Sequence, residues 1–115
     1  MKTKVTKEKI EVEESSGNIF EDLGHPNPDE ALVKAKLAIH IGKIVESKDW
    51  NQDEAAKRMG IDQPKVSKIL RGQLREFSIE RLLGFLRAIG CDVEIVLRKG
   101  TGSPAAFRVV EERLA

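Results

Sequence analysis

The sequence predicts a mainly α fold, a bundle of four to five helices followed by one C-terminal β-strand used in dimerisation. Three observations lead there. From Leu32 to Ile89 apolar residues recur at spacings of three and four, interrupted by capping residues and glycines. From Cys91 to Arg98 the period drops to two. Aromatic residues are few, four Phe and one Trp with no Tyr, so a core must rest on Leu, Ile, Val and Ala. At 115 residues the chain is one domain with an arm.

Residues 1–26 are polar and lack a persistent period. Their one apolar knot is Ile19, Phe20 and Leu23, closed by Gly24. The segment reads as an acidic N-terminal arm without its own core. Three roles stay open: a frayed terminus, packing on the protein's own first helix, and docking on a partner. His25-Pro-Asn-Pro then forces extended backbone. Asn27 is placed to cap a helix with Pro28 in its first position and Asp29 and Glu30 in its first turn. Leu32, Val33, Leu37, Ile41, Ile44 and Val45 extend that helix over about 28–47.

Asn51 with Glu54 three residues on forms a capping box for a short helix over 52–59. Ala55, Ala56 and Met59 are its inward face, and Gly60 is its left-handed stop. Asp62 caps the next helix, with Pro64 in the first turn and Val66, Ile69 and Leu70 turned inward. Gly72 ends it. A basic linker leads to Ser78, which caps a fourth helix carrying Ile79, Leu82, Leu83, Phe85, Leu86 and Ile89. The predicted organisation is therefore an arm over 1–26, a helix-turn-helix domain over 27–90, a pairing strand over 91–99 and a tail over 100–115. A lone strand leaves its backbone groups unsatisfied, so 91–99 must pair with a second copy or with the arm. Val93, Ile95 and Leu97 are its dimerisation face.

The net charge of +1 and the isoelectric point near 7.9 argue against a polyanionic partner. Their distribution reverses that argument. Residues 1–33 hold four Lys and eight acids, net −4, while residues 34–75 hold ten Lys/Arg and five acids, net +5. From Gln63 to Arg75 four cations (Lys65, Lys68, Arg71 and Arg75) follow one another with no acid before Glu76. Two short helices joined by Gly60-Ile61-Asp62, with small Ala56 at their crossing, form a helix-turn-helix. Such a unit holds its second helix ready for a DNA major groove. Gln63, Lys65, Ser67 and Lys68 are the candidate base readers. A Gln amide matches adenine, and a Lys ammonium matches guanine acceptors. Gln52, Lys43, Arg71 and Arg75 are the candidate phosphate contacts. Lys57 and Arg58 add positive potential.

Gln52, Ala56, Gly60, Ile61, Val66, Ser67, Ile69 and Gly72 make the stretch resemble the Cro/C1-type (XRE) helix-turn-helix family, over about 29–89. The resemblance implies a lambda-repressor-like bundle, with base readers early on the second motif helix. Two residues depart from the pattern. Pro64 removes a backbone donor, and Arg71 stands where an acid or Asn is frequent. Segments 14–24, 61–67, 77–83 and 91–98 are similar to a narrower subgroup that includes HigA-type antitoxins. That likeness implies the antitoxin of a type II toxin-antitoxin pair, neutralising a HigB/RelE-like ribonuclease and repressing its own operon. The acidic arm, through Ile19, Phe20 and Leu23, would be the partner-binding segment on a basic toxin. A stand-alone Cro/C1-type repressor is the alternative, and an adaptor that keeps the fold without DNA is a third.

Enzymatic chemistry is not expected. His25 and His40 lack ligand-spaced neighbours, so neither a metal site nor a cofactor is expected. The single Cys91 rules out an internal disulfide and reads as a small apolar side chain. No apolar run approaches membrane-spanning length, and no signal peptide is read. The expectation is a cytoplasmic homodimer on an inverted-repeat operator.

Overall fold

A computed structural model describes residues 28–100 and 102–112. Four helices lie among the described residues: α1 (Pro28–Ser47), α2 (Gln52–Met59), α3 (Gln63–Leu70) and α4 (Ile79–Ala88). All four stand within a residue or two of where periodicity and capping place them. The arm, with Ile19, Phe20 and Leu23, lies outside the described residues.

Each short helix starts on the side-chain oxygen that the sequence offers. Asn51 Oδ1 accepts from the Glu54 amide at 2.8 Å, Asp62 Oδ1 from Lys65 at 3.0 Å, and Ser78 Oγ from Arg81 at 3.0 Å. Each bond satisfies an amide that the helix itself leaves without a partner. The helices also end alike. At α2, Gly60 sits at φ 74°, and the Gly60 and Ile61 amides both donate to Ala56 O. The same reach across five residues closes α3 through Gln73 to Lys68 O, and α4 through Cys91 to Leu86 O. These are Schellman-type closures, which need one left-handed residue before the final donor.

One compact unit, Lys34–Val96, contains the whole helix-turn-helix. Its core is aliphatic, as the composition demands. Ile41, Ala55, Val66 and Leu82 are fully buried, joined by Ile69, Met59, Phe85 and Leu86. Small Ala55 and Ala56 line the inner face of α2, which packs against both α3 and α4. Leu70 is only half-buried; its side chain lies over Gly42 of α1, 3.7 Å from where a β-carbon would stand. The linker between α3 and α4 is more than a basic connector. Leu74 and Phe77 turn inward from it, and Phe77 packs edge-on against Phe85 with centroids 6.0 Å apart. Burying two large apolar side chains in an eight-residue loop fixes where α4 starts relative to α3.

The strand expected over 91–99 differs. Among the described residues there is no strand, and Cys91–Gly100 runs irregularly within the single chain. An alternating segment becomes a strand only when a second segment completes its ladder. The described part of the tail, 102–112, carries no helix.

Candidate nucleic-acid interface

Val66 and Ile69 anchor α3 inward. Side chains four and three apart on a helix share a face, so Pro64, Lys68 and Arg71 stand on the line opposite that anchor. Lys65 and Ser67 flank the line on either side and are half-buried. Gln63 is exposed at the first position of α3. All four candidate base readers therefore reach the surface, with Lys68 most nearly central.

The cations on this face have defined partners. Lys65 Nζ stands 3.5 Å from Asp62 Oδ2, a loose contact between neighbours on the helix start. Lys68 Nζ donates to Glu76 Oε1 at 2.9 Å, across eight residues of chain. Arg71 Nε leans back to the Ser67 carbonyl at 3.4 Å, near the limit of a hydrogen bond. The Lys68 hydrogen bond, helped by the positive charges of Lys68, Lys65 and Arg81, holds the Glu76 carboxyl below the ordinary carboxylate range against the opposing effect of desolvation. Glu76 is the first acid after the acid-free stretch, and the fold brings it back against that stretch.

The candidate phosphate contacts are more dispersed. Gln52 is half-buried at the first position of α2, where the leading amides point out of the helix. Asp53 and Glu54 share that turn, so the site is not purely cationic. Arg58 meets part of this charge: its Nε donates to Glu54 Oε2 at 2.8 Å while its guanidinium lies 4.8 Å over the Trp50 ring. Lys43 is exposed on α1, and Arg75 is exposed in the α3–α4 loop.

Periodicity and charge counting did not single out Glu76 or Arg81. Arg81 packs its guanidinium 5.3 Å over both Phe77 and Phe85. The burial of Phe77 was the missing signal, because it places Arg81 beside Glu76 rather than on an arbitrary face of α4.

The helix-turn-helix domain family matches residues 19–98, most of the chain. A solved structure named "Putative XRE Family Transcriptional Regulator" is 39% identical and superposes with a TM-score of 0.68. The match covers 77% of this chain and 100% of that one. The chain belongs to the XRE-type helix-turn-helix family. No curated protein matches it.

As an XRE-type domain the chain has its motif helices at α2 and α3, joined by the Gly60 turn. The candidate dimerisation residues follow α4, within the matched residues. Ile95 and Leu97 are 76% and 85% exposed, with Val93 half-buried. No described helix is long and apolar enough to cross a membrane. No group of three or more His, Cys, Asp or Glu side chains among the described residues is placed to hold a metal ion.

Proposed function

We propose that the protein is a sequence-specific DNA-binding transcriptional regulator of the cytoplasm, without enzymatic activity, that reads an inverted repeat as a homodimer. One observation carries this: α3 is anchored by Val66 and Ile69 and turns Gln63, Lys65, Ser67, Lys68 and Arg71 outward with no acid among them. Polar and cationic groups at this spacing match major-groove base edges at the helix start and phosphates at its end. Gln52, Lys43, Arg71 and Arg75 take the phosphate role. Dimerisation is supported by the Cys91–Lys99 segment. It leaves Ile95 and Leu97 in solvent in one chain, and pairing across a two-fold axis would cover them. Two reading helices then engage half-sites one helical turn apart.

The finer reading is an antitoxin that neutralises a HigB/RelE-like ribonuclease and represses its own operon. It rests on the likeness of segments 14–24, 61–67, 77–83 and 91–98 to HigA-type proteins, and on the −4 charge of residues 1–33. Selection of duplexes from a random library, followed by anisotropy titration of the enriched sequence, tests the DNA reading. Enrichment of an inverted repeat supports it, and failure to discriminate from random duplex rejects it. Co-expression with the product of the adjacent reading frame tests the antitoxin reading. Relief of toxicity that needs residues 14–24 supports it. A stand-alone repressor is indicated if the neighbouring product is neither toxic nor bound.

A further inference from the structure

Glu76 is out of place on a surface meant for a polyanion. Its carboxylate sits against the central cation of the reading face, 2.9 Å from Lys68 Nζ, and within the fields of Lys65 and Arg81. Both side chains of the pair remain about two-fifths exposed, so the contact stands where DNA would dock.

We propose that Glu76 is a specificity-determining residue that pins the Lys68 ammonium as a neutral pair, one that donates to base acceptors yet gives no net attraction for phosphate. The inference rests on the DNA reading of α3. An ammonium has three N–H donors. Glu76 takes one and fixes the direction of the others, which stay available for two guanine acceptors in the groove. A phosphate gains nothing comparable. The pair carries no net charge, so bringing it against the backbone releases no counterion, and the Glu76 carboxylate repels the phosphate. Freeing Lys68 for a phosphate would leave that carboxylate unpaired beside a polyanion. Random sequence is therefore penalised at a position where an unpaired lysine would favour it.

Chain geometry makes the pairing durable. Glu76 precedes Phe77, which is locked in the core, and follows Leu74, also buried. The loop that carries the carboxylate is thus anchored on both sides. Arg81, held over Phe77 and Phe85, adds a positive neighbour to Glu76 while Lys68 makes the hydrogen bond.

Glu76→Gln keeps the shape and removes the charge at an exposed site. The test titrates wild type, E76Q, K68A and the double variant against a random-sequence duplex and against the duplex enriched by wild type, over a range of salt. For E76Q, affinity for random duplex is expected to rise about fivefold, and its salt slope to steepen by about 0.9, the signature of one added phosphate contact. The ratio of selected to random affinity falls accordingly. In the K68A background the Glu76 substitution relieves only the repulsion of the unpaired carboxylate and adds no phosphate contact, so the salt slope of the double variant is expected to stay at the wild-type value. The proposal is overturned if E76Q leaves random-duplex affinity and slope unchanged. It is equally overturned if the slope steepens by the same amount in K68A, since that would reflect overall charge alone. Should wild type itself fail to discriminate the two duplexes, the DNA reading of α3 falls and takes this inference with it.

Discussion

The Trp50 amide donates to the Val45 carbonyl at 3.1 Å, reaching across Asp49, which is held at φ 61°. This is the closure that Gly60, Gly72 and Gly90 provide at the other three helices, here made on a residue with a β-carbon. A left-handed conformation costs an L-residue roughly 1–2 kcal/mol, somewhat less for Asp. Asp49→Gly is therefore expected to stabilise the domain by about 0.5–1 kcal/mol, after the added chain entropy of glycine is subtracted. Thermal unfolding checks it, and an unchanged or lower Tm would show that the Asp49 side chain contributes more than its backbone costs.

Glycine substitutions elsewhere should split by backbone angle. Gly84 lies inside α4 with nothing within 4 Å of an added β-carbon, so Gly84→Ala is expected to gain about 0.5–1 kcal/mol from helix propensity. Gly60 has equal space but stands at φ 74°, and Gly60→Ala is expected to lose about 1–2 kcal/mol. Denaturant titrations of the two single variants, giving opposite signs, would separate backbone strain from packing. Two shifts of the same sign would contradict it.

The helices were legible because the residues that start and stop them act locally. Asn51, Asp62 and Ser78 each bond an amide three residues on, and the glycines act through their own φ. Leu74 and Phe77 were not legible, since an eight-residue loop offers no period to read. Their burial depends on the gap between α3 and α4. Asp49 escaped notice for a related reason: its side chain is ordinary, and only the backbone is unusual. At the site, Lys65, Lys68 and Arg71 could be read from helical spacing. The acid that partners Lys68 could not, because an acid-free run in sequence says nothing about which acid the next loop folds back. The 91–99 strand is a different case. Alternation states which side chains share a face, but a ladder needs a second segment.

The Lys68–Glu76 pair should leave a pH signature. The Glu76 carboxyl is held below its ordinary range, first by the hydrogen bond from Lys68 and then by the charges of Lys68, Lys65 and Arg81. A carboxyl whose folded pKa is depressed contributes stability above its unfolded pKa and loses it as pH falls through the folded one. Wild type is therefore expected to exceed E76Q in Tm at neutral pH and at low salt. The gap should close on acidification below the usual carboxylate range, and also in high salt, where an exposed pair is screened. A gap that persists in acid would point to a packing effect of the substitution.

Lys68 and Arg71 share one face of α3 but should behave differently on DNA. Lys68→Ala is expected to weaken the selected duplex by about 1–3 kcal/mol more than random duplex, the value of a good base contact, with random duplex losing only what the unpaired Glu76 carboxylate repels. Arg71→Ala should weaken both and flatten the salt slope by about 0.9. Equal losses on both duplexes for Lys68→Ala would move that lysine to the phosphate class.

Association of two chains should depend on the alternate residues of 91–99. Val93, Ile95 and Leu97 share one side of an extended segment, with Val96 on the other. In one chain Ile95 and Leu97 are largely in solvent, so neither supports the fold of a single copy. Ile95→Glu is then expected to shift a dimer to monomer in sedimentation equilibrium without loss of helical circular dichroism. Val96→Glu should do so less, because it leaves the apolar side of the segment intact. A charge at position 95 also places like charges near one another across a two-fold axis, which adds repulsion to lost burial. DNA binding by Ile95→Glu should weaken steeply on dilution while each α3 stays folded. Loss of helical signal in Ile95→Glu would assign the residue to the fold of one chain, and an unchanged dimer would place the two-fold contact elsewhere.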